Sequence, residues 1–535
     1  MEEPPCSSSE TSSTKGKLSI DPIIGINLLN DDLLHNIFTR LPALSFASAS
    51  CVNKSWKSVC NRIISRPKLS SALSLNPSLL DAVQEVVNKV LSEPIRPHFA
   101  IVNIGSGFDS NKILRLIRRR LGFNIPVVVT MNNGVIGRDA LTDEFKEVKW
   151  GALFSGIGDE EYATNINEGM VLTVGYLPGL KVEAIPLLRP PKTPQEPCVD
   201  NFVMAIKEYS ASVSGRQFPV GVILFGDASS DMKLVVEKLD YAMPTDTFIV
   251  GDERGCSLFR YGNDSRNVCG SRGHIEAVAL VFARDRNRSS GNIRFHVAFS
   301  NGVSPVGGRY KAASVRTNNT DCSTWLTAKR EGHQELLDGQ SILHDITTLL
   351  ENHIEPPELY IGVTKHRKVS IGAERPMPKT CIAYHGVVGG DEEYLYVDGM
   401  GIKTGDIFQF YYSDPNVALA SLTDVRDALN KVKPERNSRS FEGDGDNATN
   451  VFGGIIFACY GRGESFFGRP NADSSPFLET FPGVPLGGVF CGGEMVRPST
   501  NLIGLCPDAK PISCFLHVYS TVYLVMSYDP PSVEY

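Results

Sequence analysis

The sequence predicts an α+β protein in which a short, three-helix N-terminal unit precedes a large region of mixed sheet. Apolar side chains recur at helical intervals through residues 27–66. From Phe99 onward, short apolar strands alternate with helical stretches, and no fixed repeat relates them. Two runs, VGVILF at residues 220–225 and GGIIFAC at residues 453–459, are typical of central strands that are covered on both faces.

The composition of the chain changes along its length and predicts its division into parts. Residues 1–22 are polar and rich in serine and threonine, so we expect them to be disordered. A helical unit is predicted at residues 23–68. A helical linker is predicted at residues 69–95, where one apolar stripe at helical spacing is followed by prolines. The remainder is expected to form two strand-rich domains, at residues 96–325 and 326–535.

Charge and cysteine content narrow the function classes. The 535 residues carry a formal net charge of −7, so the chain lacks the overall basic field of a nucleic-acid-binding protein. No apolar run reaches the ~18 residues that a membrane span needs, and we expect no membrane partner. The twelve cysteines form no C-x-x-C pair, which indicates a reducing compartment, the cytoplasm or the nucleus.

The N-terminal unit contains signals for three short helices. Asn30 can cap the first helix, and the Leu41-Pro42 pair ends it because a residue before proline avoids the helical region. Ser45 can cap the second helix. The apolar stripe of the first helix comprises Leu33, Leu34, Ile37, Phe38 and Leu41. About forty residues make only a marginal core. We therefore expect the remaining apolar surface to pack against a partner or a neighbouring domain.

This N-terminal unit resembles an F-box. Members of that family combine an acidic pair, Leu-Leu, a further apolar residue and Leu-Pro with a later Cys-x-x-x-x-Trp ending. The matching residues are Leu29, Asp31, Asp32, Leu33, Leu34, Ile37, Leu41, Pro42, Cys51 and Trp56. Asn30 stands where the family has a proline. Helix initiation should survive this replacement because asparagine is itself a good cap, but the adaptor affinity stays open.

The resemblance implies that the unit binds a Skp1-like adaptor and, through it, a cullin. The adaptor-binding residues that it implies are Leu29, Leu33, Leu34, Ile37, Leu41, Pro42, Val52 and Trp56. The chain would then be the substrate-recognition subunit of an SCF-type ubiquitin ligase, a non-catalytic role with an unknown protein substrate. Two alternatives stay open: a helical subdomain without a partner, and a small-ligand-sensing signalling protein whose F-box is regulatory or vestigial.

The C-terminal half resembles a FIST C-terminal domain. The residues that match its Gly-Arg-Gly turn, Pro-Leu step and Gly-Glu turn are Arg462, Pro485, Leu486, Gly493 and Glu494. Residues 302–308 (GVSPVGG) resemble a joint of the same family, with Val303 where cysteine is usual. The strands before them resemble a FIST N-terminal domain. The resemblance implies FIST domains at residues 96–325 and 326–535, which recognise a substrate or a small-molecule ligand.

Three residues of these motifs are candidates for substrate or ligand binding: Arg462, Gly493 and Glu494. An arginine in a glycine turn can clamp a carboxylate, and glycines let backbone N–H groups approach a ligand. Structural roles are the alternatives. The glycines can form a tight hairpin, which we favour, and Arg462 can form an ion pair, for example with Glu494.

The sequence predicts no cofactor, metal or catalytic site. A phosphate-binding G-x-x-x-x-G-K-[ST] loop is absent, and the histidines lack the spacing of zinc ligands. Cys491 lies at a strand end without an obvious histidine, which favours a packed thiol over a nucleophile. Arg118, Arg119 and Arg120 form a basic cluster on a helix, where a solvated face is favoured over a site for an acidic partner.

Overall fold

The computed structural model describes residues 29–150, 167–189, 198–227, 232–260, 274–288, 292–318, 322–351, 356–433, 450–497 and 516–530. Helices and mixed sheets share these residues, which confirms the predicted α+β class. The N-terminal segment 1–22, which we expect to be disordered, lies outside the described residues. No helix within the described ranges is both long enough and apolar enough to cross a membrane.

The N-terminal unit forms three helices, and the rest of the described chain is dominated by strands. In chain order the elements are α1 Asp31–Phe38, α2 Ala43–Ala49, α3 Lys54–Ile63, β1 Lys68–Ser74, α4 Leu79–Val90, β2 Phe99–Ile104, α5 Ser110–Leu121, β3 Val127–Met131, β4 Gly134–Arg138, β5 Phe145–Lys149, β6 Met170–Tyr176, β7 Leu180–Arg189, α6 Val199–Ser214, β8 Gly221–Asp227, α7 Met232–Ala242, β9 Phe248–Arg260, β10 His274–Arg284, β11 Asn292–Ser300, β12 Val303–Asn318, β13 Ser323–Arg330, α8 Gly339–Leu349, β14 Leu359–Val369, β15 Met377–Gly390, β16 Leu395–Asp398, β17 Ile407–Ser413, α9 Pro415–Asn430, β18 Asn450–Cys459, α10 Glu464–Phe467, α11 Ser475–Thr480, β19 Leu486–Cys491, β20 Glu494–Val496, β21 Leu516–His517 and β22 Thr521–Asp529.

The strands build two sheets and a barrel. A ten-stranded sheet has the order β1-β6-β2-β3-β9-β8-β10-β7, with β20 paired to β9 and β21 paired to β20. Its long strand β9 joins two halves, because residues 248–252 pair with β8 and residues 256–260 pair with β3. A six-stranded sheet has the order β11-β22-β18-β19-β4-β5. Strands β12 to β17 close a barrel.

The two sheets pack face to face, and helices cover their outer faces. The shared core contains Ile101 and Leu280 from the ten-stranded sheet and Phe457 and Leu524 from the six-stranded sheet. Helices α4 and α5 cover one half of the ten-stranded sheet, and α6 and α7 cover the other half. Helices α9 and α11 cover the six-stranded sheet. Both sheets are therefore buried on two faces, as the apolar runs predict.

The predicted helical linker at residues 69–95 needs correction. Strand β1 pairs over its whole length with β6 in the ten-stranded sheet, and α4 packs onto that sheet. Three of the seven residues of β1 are serines, so apolar periodicity alone does not separate this strand from the helical stripe that follows it. Residues 68–90 are thus part of the sheet and its helical cover rather than a connection.

The predicted boundary between residues 325 and 326 also needs correction, because it falls inside β13 and therefore inside the barrel. The two expected domains interlock as well, since β4 pairs with β19 in the six-stranded sheet and β5 pairs with β4. Strand pairing between distant segments carries no local sequence signal. The barrel, residues 303–413, has a hydrophobic core of its own. It is therefore the part of the region after the F-box-like unit that is separate from the two sheets.

Candidate functional site

The three N-terminal helices enclose a small core of their own. Its six buried side chains are Leu34, Phe38, Phe46, Ala49, Val59 and Cys60. In α1, Leu34 and Phe38 are four residues apart and therefore point into this core together. Leu34 is only 4% exposed, so its expected direct role in adaptor binding needs correction: the side chain supports the fold of the unit from inside.

A set of apolar side chains stays outside this core. Leu33 is 51% exposed, Ile37 46%, Leu44 72% and Val52 59%. We call these four residues the docking face. The sequence indicated Leu33, Ile37 and Val52, but it did not indicate Leu44. The available signal was a leucine two residues before the buried Phe46, and therefore on a different side of a short helix that can bury only one face.

The other expected adaptor-binding residues lie at the edge of the core. Leu29, Leu41 and Trp56 are partly buried and pack against it, whereas Pro42 is exposed. The Trp56 ring meets the Phe38 ring edge to face, with 4.9 Å between ring centroids and 63° between ring planes. Trp56 therefore contributes to the small core and keeps one part of its ring accessible.

Asparagine side chains start two of the three helices. Asn30 Oδ1 accepts a hydrogen bond of 2.9 Å from Leu33 N, and Asn53 Oδ1 accepts one of 2.8 Å from Trp56 N. Asn30 thus initiates α1 in the place where a proline was expected. The prediction for α2 was wrong: the helix begins at Ala43, with Pro42 and not Ser45 at the cap position.

The helical unit is attached to the body of the protein by α2 and by the end of α3. Ala43 N donates a hydrogen bond of 2.9 Å to the carbonyl oxygen of Leu91, which caps α4. Ala43 and Ile64 also pack against the apolar cluster beneath α4 and α5. These contacts leave the docking face outside the joint between the two parts.

Arg462 lies inside the body of the protein and forms a structural ion pair. Its Nε and Nη2 atoms are 2.9 Å and 2.8 Å from Asp473 Oδ1, and both side chains are 0% exposed. Its Nη1 donates to the carbonyl oxygen of Tyr519 at 2.9 Å, and its Nη2 donates to Ser300 Oγ at 3.0 Å. The partner is Asp473 rather than Glu494. The expected substrate- or ligand-clamping role of Arg462 therefore needs correction, because its donors face the interior.

Glu494 is also fully buried. Its Oε2 accepts hydrogen bonds from Ser520 Oγ at 2.7 Å and from Ser520 N at 3.3 Å. Burial raises the pKa of Glu494 well above its usual value. Burial also raises the pKa of nearby Asp252, to about 7, although Asn132 Nδ2 donates to this carboxyl at 2.5 Å. Glu494 is thus part of a buried polar cluster and is not available to a substrate.

Gly493, the third candidate, lines a cavity. The hairpin interpretation was wrong: Gly492 and Gly493 carry the chain from β19 in the six-stranded sheet to β20 in the ten-stranded sheet. The carbonyl oxygen of Gly493 accepts a hydrogen bond of 2.8 Å from Glu253 N. The cavity, about 220 Å³ in volume, lies between this link and the barrel, where His385 forms part of its wall.

Comparison with known proteins places the N-terminal unit. The F-box domain family matches residues 26–68 of this chain. The whole chain is similar to an F-box/LRR-repeat protein of Arabidopsis thaliana, with 46% identity over 523 residues that cover 96% of each protein. The chain belongs to this F-box protein family. The relative's name refers to leucine-rich repeats, whereas the described part of this chain after the F-box builds two stacked sheets and a barrel.

Among the residues that the structure describes, two kinds of chemical site come into question: a metal centre and the thiol of Cys491. No group of three or more histidine, cysteine or acidic side chains there could hold a metal ion. Cys491 is fully buried, and burial raises the pKa of its thiol well above the usual value, so the reactive thiolate is disfavoured. What the geometry does offer is a set of four exposed apolar side chains on the F-box.

Proposed function

We propose that this F-box protein is the substrate-recognition subunit of an SCF-type ubiquitin ligase. In this role the F-box binds a Skp1-like adaptor, the adaptor links the chain to a cullin, and the body of the protein holds the substrate. The observation that carries the proposal is the docking face. Leu33, Ile37, Leu44 and Val52 remain between 46% and 72% exposed after the F-box has folded and packed on the body.

Burial of the docking face would contribute a substantial share of the binding free energy. Fully burying an aliphatic side chain contributes about 1.5–3 kcal/mol, and each residue of the docking face is already about half covered. Burial of what remains should contribute about 1 kcal/mol per residue and about 4 kcal/mol in total. That free energy corresponds to a factor of about a thousand in the dissociation constant. Pro42 and the accessible parts of Leu29, Leu41 and Trp56 extend the contact at its edge.

The proposed function needs no bond-making chemistry in this chain. A substrate held by the body would be brought close to the ubiquitin-conjugating enzyme that the cullin carries, and the rate gain would come from effective concentration. The described cysteines are free thiols, which supports a place in the cytoplasm or the nucleus, where reducing conditions prevail. The non-catalytic role and this location are part of the proposal.

Recognition of the substrate is assigned to the region after the F-box. The likeness of residues 302–308 and of the segment around Gly493 to FIST motifs supports recognition of a ligand or a protein substrate by this region. One observation favours a small-ligand role beside it, namely the cavity of about 220 Å³ at Gly493. A thermal-shift screen with amino acids would show a raised melting temperature for the wild type and none for Gly386→Trp, because Gly386 lines the same cavity, has no atom closer than 3.8 Å to an added Cβ, and would let the indole occupy the space.

Adaptor capture tests the main proposal. Tagged full-length chain carrying Leu33→Asp and Ile37→Asp should lose its Skp1-like adaptor and its cullin on affinity purification, since two carboxylates would be desolvated at the interface. The matched control carries Leu141→Asp and Leu336→Asp, two leucines that are 73% and 58% exposed on the body. This control should retain both partners. Retention of the adaptor by the Leu33 and Ile37 variant would refute the proposal.

A further inference from the structure

A second, larger cavity lies at one end of the ten-stranded sheet. Its volume is about 440 Å³, within the range of about 300–1,000 Å³ that ligand pockets occupy. We call it the basic cavity, and its chemically distinctive lining residues are Arg96, His98, Phe123, Lys181, Asp285 and Arg288. None of them belongs to the F-box, and none of the candidate sites in the sequence includes them.

Four separate segments build the basic cavity, and hydrogen bonds tie three of them together. Arg96 and His98 precede β2, Phe123 follows α5, Lys181 lies in β7, and Asp285 follows β10. Leu177 N donates to His98 Nδ1 at 3.3 Å, which fastens the start of β2 to the turn between β6 and β7. Asp285 N donates to the carbonyl oxygen of Gly179 at 2.8 Å, which fastens the end of β10 to the same turn. These hydrogen bonds fix the relative positions of three of the four segments that form the cavity wall.

Positive charge dominates this lining. Arg96, Lys181 and Arg288 are exposed, and the single carboxylate, Asp285, is buried. Lys181 Nζ lies 3.6 Å from Asp285 Oδ2. Within the described ranges, Arg96 and Arg288 have no ion pair. The same three cations surround His98, whose pKa is lowered to about 4, first by burial and then by these charges. His98 is therefore neutral near pH 7, and of the three cations only Lys181 has a carboxylate partner in the cavity, Asp285.

Apolar surface adjoins these cations. The Phe123 ring is 49% exposed, and on one side Arg118 covers it with its guanidinium carbon 5.1 Å from the ring centroid. Arg118 itself is only 4% exposed, so the expectation that it lies on a solvated helix face needs correction. It packs behind Phe123 at the cavity wall. A ligand that fits must combine negative charge with apolar groups, a combination that a short acidic peptide offers.

We propose that the basic cavity holds an acidic, partly apolar segment of the protein substrate. This inference rests on the proposed function and names the chemistry of the substrate class. A long polyanion such as RNA is a poorer fit because the chain as a whole carries a net charge of −7, which repels an extended ligand beyond the cavity. Arg96 also follows Leu91, to which Ala43 of the F-box is hydrogen-bonded, by only five residues, so the basic cavity is within about 17 Å of the attachment of the F-box.

Fluorescence polarisation with full-length chain tests the inference directly. The probe is a fluorescein-labelled Glu-Leu-Glu-Glu-Leu-Glu peptide, and the comparison peptide carries glutamine in place of each glutamate. Reversing two cations with Arg96→Glu and Arg288→Glu should weaken binding of the acidic peptide by at least about tenfold. The matched control, Arg309→Glu with Lys311→Glu, makes the same change in net charge on exposed residues of the barrel. It should change the affinity by less than about twofold.

Four results would overturn the inference. They are no measurable binding of the acidic peptide, equal weakening in both double variants, equal binding of the glutamine peptide, and tighter binding of inorganic phosphate or of a single-stranded RNA oligonucleotide. Adaptor capture is measured on the same variants. Because the peptide assay uses the chain without adaptor, an error about the basic cavity and an error about the ligase role give different results.

Discussion

Replacement of Arg462 by methionine should destabilise the body of the protein strongly. The substitution keeps most of the side-chain volume but removes the guanidinium group, which donates to Asp473, Tyr519 and Ser300 at distances of 2.8–3.0 Å. Asp473 would then remain fully buried with a hydrogen bond of 2.7 Å from Thr521 Oγ1 but without its cation. The perturbation therefore leaves a buried charge uncompensated.

The size of the expected loss in the free energy of unfolding follows from the burial of the Arg462–Asp473 ion pair. Removing one partner of a buried ion pair costs about 3–5 kcal/mol, because the remaining charge has neither water nor a counter-ion. Both side chains here are 0% exposed, so solvent screening does not reduce this figure. Replacing Asp473 by asparagine in the same chain removes the orphaned charge. The double variant should therefore recover about 2 kcal/mol or more of the loss.

Urea unfolding followed by the fluorescence of Trp150 measures this effect, in a chain whose other two tryptophans carry Trp56→Phe and Trp325→Phe. Trp150 is 6% exposed, and Lys149 beside it donates to the carbonyl oxygen of Arg462 at 2.7 Å, so the probe lies in the same region. An Arg309→Met variant at an exposed position should stay within about 0.5 kcal/mol of the wild type. A loss below about 1 kcal/mol for Arg462→Met would refute the structural role and return Arg462 to the ligand-binding candidates.

Three further predictions follow from single contacts. Asn30→Ala should cost about 1 kcal/mol of F-box stability, seen as faster amide exchange in α1, while Asn30→Asp should not. Leu34→Ala should cost about 2–5 kcal/mol and unfold the small F-box core, whereas Leu33→Ala should leave circular dichroism unchanged and weaken only adaptor binding. Burial raises the pKa of Asp252 to about 7, against about 3.9 in an unfolded chain, so the native state holds a proton that the unfolded state has released between these values. The contribution of protonated Asp252 to the free energy of unfolding is complete below about pH 4 and is lost as the pH rises through 7, at up to about 1.4 kcal/mol per pH unit. The urea midpoint of the Asp252→Asn variant should therefore fall less steeply with pH than that of the wild type.

Local signals in the sequence predicted the helices of the F-box more closely than the residues that face its partner. The stripe around Leu33 and Leu34 covers more than one side of α1, and periodicity alone does not show which of two adjacent leucines enters the core. The structure decides this by placing Phe38 beside Leu34. Leu44 was missed because α2 has only seven residues, too few for a clear period.

For the body of the protein, the sequence predicted the fold class but not the order in which the strands pair. Alternating strands and helices indicated an α+β fold, but the pairing of β4 with β19 joins segments that are far apart in the chain and leaves no local pattern. For the same reason the partner of Arg462 was misassigned: Asp473 lies outside the glycine-turn motifs that drew attention to Glu494. The glycine-turn motifs drew attention to Arg462 and Glu494. Their complete burial in the structure indicates that their role is structural.

The central claim is that the docking face binds the adaptor by burying apolar surface. Isothermal titration of a purified Skp1-like adaptor into full-length chain, at several temperatures, tests this most directly. We predict a negative heat-capacity change for the wild type, as apolar burial requires, and a dissociation constant at least about a hundredfold weaker for Leu44→Asp combined with Val52→Asp. Unchanged affinity in that variant, with circular dichroism matching the wild type, would contradict the claim.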